Sequence, residues 1–171
     1  MTELVAPSGV FAPAIATALD AALARLAGVI GTVEEQVVGW ATVDLERASS
    51  GPGAADAGFR DASPRDEPLL GARGVVGSAT PDRPAVILLE PTTEGRLAAS
   101  LARHDEGPLV LYLLVAPGTL DRFRVVATAS GVHVSRPEQG PFGPAVLVLD
   151  GDPWGPHLIV TAARARGTIE R

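Results

Sequence analysis

The chain has 171 residues, enough for one well-buried domain or for two small modules that share a core. It is 46% hydrophobic and 20% charged, with 19 glycines and 15 prolines, which is typical of a globular protein with many turns and excludes a disordered chain. The net charge of −6 and the scattered arginines argue against a nucleic-acid partner, and the absence of cysteine excludes disulfides and thiolate ligands. Because no apolar run approaches the ~20 residues of a membrane span, and the first residues do not form a signal peptide, we expect a cytoplasmic protein with no membrane partner.

The first half of the chain predicts one amphipathic helix followed by strands. Apolar residues recur at helical spacing over 12–30, and Gly31 offers a stop. A β-prone run begins at Val37, and Asp44 is a favourable N-cap for a short helix. A segment rich in Gly, Pro, Ser and Asp then predicts a loop, and two strands follow it. These three elements cover residues 49–68, 71–79 and 84–91.

The second half repeats this order of elements. A connecting helix is predicted from Thr92 to about His104. A buried strand, LVLYLLV, follows Gly107-Pro108, and the next helix ends before Gly131. The predicted elements of this half, after the connecting helix, are a strand at 109–115, a helix at 119–130 and strands at 132–136, 144–150 and 157–163.

Equal spacing supports a duplicated βαβββ unit. Val37 and Ile87, on the opening and closing strands of the first half, are 50 residues apart. Val110 and Val160 are also 50 residues apart, so the two halves are offset by 73 throughout.

Three passages carry a resemblance to a known superfamily. They are VGWATVDLERA, the passage from ILLEP to PLVLYLLV, and GPFGPAVLVLDGDPWGPHLIV. In this order and spacing they make residues 36–163 resemble the vicinal oxygen chelate superfamily, which includes glyoxalase I, methylmalonyl-CoA epimerase and the bleomycin-binding resistance proteins. The resemblance implies an α+β fold of two βαβββ modules whose sheets curl into a cup, with an extra N-terminal helix. It divides the chain into a helical extension (1–33), module 1 (34–93), a connecting helix (94–107) and module 2 with its tail (108–171).

The resemblance also implies a metal site, which this sequence does not match. Enzymes of the superfamily bind a divalent metal through His, Glu or Gln at four strand positions. Matched one at a time, these positions fall on Val37, Ile87, Val110 and Val160, which have no lone pairs to donate. Glu90 has the opposite parity to Ile87 and is expected to face away from the cup. The sequence therefore predicts no metal and no cofactor, and it argues against metal-assisted chemistry.

Strand alternation predicts an apolar cup with one phenol, that of Tyr112. Tyr112 is interpreted either as a catalytic group or as a core residue with a hydrogen-bond partner. Arg73 is a candidate for orienting a carbonyl or carboxylate, with a solvated edge residue as the alternative. His133 is a candidate acid or base, although a single strand histidine is more often structural. The expected ligand-binding residues are Val37, Gly39, Ile87, Leu89, Val110, Leu114 and Val160.

These residues lead to two functions from different classes. The first is a metal-independent isomerase or cyclase of natural-product biosynthesis, acting on a hydrophobic, polyketide-like molecule held in a reactive shape. The second is a self-resistance protein that sequesters a drug or metabolite. A degenerate member with a structural or regulatory role also stays open, as does a homodimer in place of a cup closed within one chain.

Overall fold

The computed structural model describes residues 4, 6–7, 9–51, 58–59, 62–77 and 85–163. Much of the predicted loop at 49–68 and the turn before the strand at 84–91 lie outside these ranges. The helices are α1 (Pro13–Leu26), α2 (Leu45–Ser50), α3 (Arg96–His104) and α4 (Leu120–Ala129). The strands are β1 (Val33–Ala41), β2 (Arg65–Glu67), β3 (Ala72–Val76), β4 (Val86–Pro91), β5 (Gly107–Val115), β6 (Glu138–Gln139), β7 (Pro144–Leu147) and β8 (His157–Ala162).

All eight strands form one mixed sheet built from two similar halves. The strand order is β2-β3-β4-β1-β5-β8-β7-β6. Within each half the first strand pairs in parallel with the last, β1 with β4 and β5 with β8. The two halves join where β1 and β5 pair antiparallel. This is the predicted α+β arrangement of two βαβββ units curled into a cup, and that fold class is confirmed.

The pairing register gives the sheet an inner and an outer face. Paired residues on neighbouring strands point to the same side, so Tyr112 on β5 shares a face with Val37 on β1 and with Ile159 on β8. We call this concave side the inner face. Leu88 lies on the opposite, outer face, where it packs with Leu45 of α2. Helix α2 therefore covers the outer face of the first half.

Long apolar strands in the middle of the sheet hold the core together. Every residue of β8 is buried, and β5 is buried on both faces except at Pro108. Helices α1 and α4 both lie against β8, and α1 contributes Leu19, Leu23 and Leu26 to the core. The predicted N-terminal helix thus packs on the body of the protein, although it ends at Leu26 rather than near residue 30.

Contacts near its two end strands leave the curled sheet nearly closed. Arg65 of β2 donates from Nη1 to the backbone oxygen of Pro141, just after β6, at 2.8 Å. A Cβ placed on Gly140 would lie 3.3 Å from Oε2 of Glu67. The two ends of the cup therefore approach each other within one chain, and the side chains of the inner face are buried.

Three predicted elements differ from the observed ones. The strand predicted at 132–136 is an isolated bridge between Val134 and Val148, followed by the two-residue β6. The connecting helix begins after Gly95 rather than at Thr92, because the backbone N–H groups of Thr92 and Thr93 donate hydrogen bonds to the oxygen of Gly71. Strand β2 falls in the predicted loop; its pairing with β3, not a local pattern, extends it.

Candidate functional site

The inner face contains most of the predicted ligand-binding residues. Val37 pairs with Tyr112 and Gly39 with both Ile87 and Val110, so these residues share one side of the sheet. A Cβ added to Gly39 would lie 2.7 Å from the Cβ of Val110 and 3.2 Å from Cε2 of Tyr112, which confirms how closely they converge. Leu89 and Leu114 follow by alternation.

Val160 points the other way, and its predicted orientation is wrong. In β8 it pairs with Leu113, while Tyr112 pairs with Ile159. Since neighbours along a strand alternate, Val160 lies on the outer face. Residues that pair between the first and last strands of a module are 48 positions apart in module 1 (Val38 with Val86). In module 2 they are 47 positions apart (Leu111 with Leu158). One residue less reverses the side of every β8 side chain.

A buried polar pair lies within this apolar interior. The Tyr112 hydroxyl of β5 donates to Oε2 of Glu67 on β2 at 3.0 Å, and both side chains have 0% exposure. The other oxygen of Glu67 accepts weakly from the backbone N–H of Leu69 at 3.3 Å. The ring of Phe142 meets the Tyr112 ring edge to face, with centroids 5.2 Å apart. Residues from both modules thus build one site.

Burial sets the protonation of this pair. It raises the pKa of Glu67 to about 7, against the smaller lowering effects of the Tyr112 and Leu69 hydrogen bonds. Burial, with the charge and hydrogen bond of Glu67, raises the pKa of Tyr112 well above 10. Near neutral pH the carboxyl group therefore populates both forms, whereas the phenol stays protonated and acts as a donor.

Known structures share this architecture at low sequence identity. Methylmalonyl-CoA epimerase from Mycobacterium tuberculosis superposes with a TM-score of 0.64 at 18% identity, over 78% of this chain and 90% of that one. The Streptomyces coelicolor methylmalonyl-CoA epimerase in complex with 2-nitronate-propionyl-CoA gives 0.60 at 22%, over 78% and 100%. The chain has the vicinal oxygen chelate fold.

The same fold extends to a larger, more distant enzyme. A 4-hydroxymandelate synthase variant from Streptomyces coelicolor superposes with a TM-score of 0.50 at 14% identity, over 78% of this chain and 50% of that one. No protein-family model and no curated protein sequence matches the chain. These three structures are enzymes by their names, and the likeness to them shows the fold of this chain.

The four positions of this vicinal oxygen chelate fold that match the superfamily's metal ligands do not fit a divalent metal. With the corrected register, the four matched positions hold Val37, Ile87, Val110 and Ile159, all aliphatic. Such side chains have no lone pairs for Zn²⁺, Mg²⁺ or a transition metal. Among the described residues, no three His, Asp or Glu side chains cluster as metal ligands would.

A second buried polar pair lies near the start of β8. His157 faces inward beside Val110, and its Nε2 is 2.8 Å from Oγ of Ser100 on α3. Burial lowers the pKa of His157 to about 4, and the nearby Arg96 contributes in the same direction. His157 is therefore neutral at pH 7, and the contact ties α3 to the sheet.

Arg73 and His133 lie away from the inner face. Arg73 points outward from β3, where its Nη2 is 2.6 Å from Oε2 of Glu90. Glu90 also accepts from the backbone N–H of Leu45, so it faces away from the cup as predicted. His133 is exposed, and its Nδ1 is 2.7 Å from Oδ1 of Asp150. In this structure neither side chain reaches Tyr112.

Sequence reasoning missed Glu67 and His157. Glu67 lies in the charged run RDEP, which is typical of a solvated loop. The available signal was the short turn PLLG before the strand ARGVV, which is compatible with a hairpin that turns one carboxylate inward. For His157, the one-residue register error that reversed Val160 hides the inward orientation. None of the described helices is long and apolar enough to cross a bilayer.

Proposed function

We propose that this protein is a metal-independent isomerase or cyclase that moves a proton on a hydrophobic small molecule bound in the cup. One observation carries the proposal: Glu67, a carboxyl group with a pKa of about 7, is bonded to Tyr112 inside an otherwise apolar interior. Catalytic acids and bases work best when their pKa lies near the working pH. Burying such a group is costly for folding, and perturbed groups of this kind concentrate at functional sites.

The pair supplies both halves of a proton transfer. The Glu67 carboxylate takes a proton from a carbon beside a carbonyl; the C–H electron pair moves into the carbon framework and the negative charge onto the carbonyl oxygen. Tyr112 then donates its hydrogen bond to that oxygen, because the protonated carboxyl group is a weaker acceptor than the negatively charged oxygen. Glu67 returns the proton at another carbon, on the same face of the enolate. The proton that Glu67 takes up is returned to the substrate, so these steps require neither a metal nor a cofactor.

The rest of the inner face defines the class of substrate. Around the pair lie aliphatic side chains such as Val37, Ile87 and Leu89, all with at most 1% exposure. Contacts of this type favour an apolar carbon skeleton, at about 25 cal/mol per Å² buried before the costs of association. We therefore place the substrate among hydrophobic carbonyl compounds, with polyketide-like intermediates as the leading group.

Hydrogen exchange tests the proposal without knowledge of the product. The protein is incubated in D₂O with a panel of hydrophobic ketones and β-keto thioesters, at about one molecule per hundred of substrate, and deuterium uptake is followed by mass spectrometry. We expect catalytic exchange in at least one compound, and Glu67→Gln should slow it by about 10²–10⁴-fold. Glu90→Gln, a carboxylate on the outer face, should leave the rate unchanged.

The same experiment separates turnover from capture. Tight binding of a panel compound with no exchange beyond one equivalent would reject the enzyme and favour a sequestering protein. Exchange that persists in Glu67→Gln would reject Glu67 as the base. Tyr112→Phe gives a further check: because the Tyr112 bond lowers the pKa of Glu67, its loss should move the rising limb of the pH profile to higher pH.

A further inference from the structure

The hairpin between β6 and β7 covers the polar pair. The backbone N–H of Gly140 donates to the oxygen of Gly143 at 2.9 Å, and the N–H of Gly143 donates to the oxygen of Gly140 at 3.3 Å. Pro141 and Phe142 therefore form the tip of the hairpin. Gly140 and Pro141 are buried, although the strand residues before them are exposed. The tip therefore lies against the Glu67–Tyr112 pair and separates it from solvent.

In the described residues, side-chain contacts rather than strand pairing hold this tip against β2. In the described part of the chain, no backbone hydrogen bond joins β2 to β6, and β6 pairs with β7 alone. At the end of the sheet, Arg65 of β2 donates to Pro141 and Gly140 approaches Glu67, while Phe142 meets the ring of Tyr112 on β5 and packs against the core. A strand pair elsewhere in the sheet has a ladder of backbone bonds instead.

We propose that the β6–β7 tip, residues 140–143, is a movable cover that parts from β2 to admit the substrate, with Arg65 holding it closed. The idea rests on the proposed function only in that a substrate must reach Glu67, which has no exposed surface. Opening here separates the two ends of the sheet and leaves every strand pair intact. The motion thus requires no unfolding of the core.

Introduced thiols measure this opening directly, because the chain has no cysteine. Ala145 and Val146 are neighbours on β7, both buried, the first on the inner face beside Thr161 and the second on the outer face beside Val160. The thiol of Ala145→Cys should react with an aromatic disulfide reagent at least tenfold faster than that of Val146→Cys. Its rate should be insensitive to low urea, since local opening exposes little surface.

Arg65→Ala completes the test. Combined with Ala145→Cys it should raise the labelling rate several-fold, while the rate of Val146→Cys follows global stability only. If Ala145→Cys does not fold, Leu147→Cys supplies a second inner-face thiol on the same strand.

Two results would overturn the cover. Equal rates for inner and outer thiols, both tracking global unfolding, would mean that the cup opens only when the protein unfolds. An inner-face rate unchanged by Arg65→Ala would remove Arg65 from the mechanism. Neither readout uses activity, so an opening cover in a protein without turnover would count against the proposed enzyme and not against the cover.

Discussion

The carboxyl group of Glu67 makes the protein less stable as the pH rises. Its pKa is about 7 in the folded chain, against 4.5 for a solvent-exposed glutamate as in the unfolded chain. Between these pH values the folded state therefore binds more protons than the unfolded state. Its favourable contribution is complete below pH 4.5 and is lost as the pH rises through about 7. A shift of this size corresponds to about 3 kcal/mol.

His157 acts in the opposite direction. Its pKa falls from 6.5 to about 4 on folding, so the unfolded state binds more protons in this range. Stability from the neutral His157 is complete above pH 6.5 and is lost as the pH falls through about 4. Over the shared range the two groups offset each other, and the net pH dependence of the wild-type chain should be shallow.

Replacing the carboxyl group should expose the His157 effect. In Glu67→Gln the loss of stability that Glu67 causes at rising pH disappears. We therefore expect the free energy of unfolding to rise with pH up to about 6.5. At pH 8 the variant should be more stable than the wild type by about 3 kcal/mol, with little difference near pH 4. Urea unfolding at several pH values measures this.

The outer-face variant Glu90→Gln controls for loss of a carboxylate as such. It breaks the ion pair with Arg73, so it should not gain stability at pH 8. Equal stability of Glu67→Gln and wild type at every pH would contradict a buried, costly carboxylate.

Close packing of β1 against β5 and β4 depends on Gly39. A Cβ there would meet the Cβ of Val110 at 2.7 Å and Cδ1 of Leu89 at 3.0 Å. Gly39→Ala should therefore lower the free energy of unfolding by about 1–3 kcal/mol, more than the lower entropy of the unfolded chain restores. Because Tyr112 Cε2 would lie 3.2 Å from this Cβ, the variant should also displace the Tyr112 ring.

Gly51→Ala is the matched control. Its nearest atoms to an added Cβ are backbone oxygens at 3.6 and 3.7 Å, and its φ of −65° suits any residue. We expect a change within about 0.5 kcal/mol. If chemical denaturation gives both variants the same small effect, the inner face has room beside Tyr112 that the structure does not indicate.

Local pattern and tertiary pairing explain which elements could be predicted. Helix α4 has a clear apolar period, β5 is a continuous apolar run, and Asp44 caps α2 as expected, accepting from the Arg47 N–H at 2.8 Å. For β8 both faces are apolar and buried, so nothing in HLIVTA distinguishes one register from the next. The observed side of each β8 residue depends on pairing with β5, which no local pattern contains.

The candidate site was predictable only in part for the same reason. Tyr112 was recognised because a single tyrosine stands in an apolar strand. Its partner Glu67 lies 45 residues earlier, on a three-residue strand at the far end of the sheet order. The two meet because the sheet curls until its ends approach, and curvature of that kind is a property of all eight strands together.

This closure makes the site asymmetric although the fold is a repeat. Glu67 comes from the end strand of module 1, whereas the end strand of module 2, β6, carries two exposed residues. The phenol comes from module 2, on the strand that joins the halves. Neither module contains the pair alone, and the four positions related by the repeat hold only aliphatic side chains.

The proposed independence from metal follows from these four aliphatic positions and can be measured on the intact protein. A metal bound at 100 times its Kd would raise the free energy of unfolding by about 2.7 kcal/mol. We expect neither chelator dialysis nor added Zn²⁺, Ni²⁺ or Mn²⁺ to shift the unfolding midpoint or the exchange rate. The double variant Val37→His/Val110→His, whose imidazoles would be diagonal neighbours across the β1–β5 pair, is the positive control and should gain stability with Zn²⁺. A metal-dependent midpoint in the wild-type chain would contradict the proposal, because the donors would then have to come from residues other than the four aliphatic ones at the matched positions.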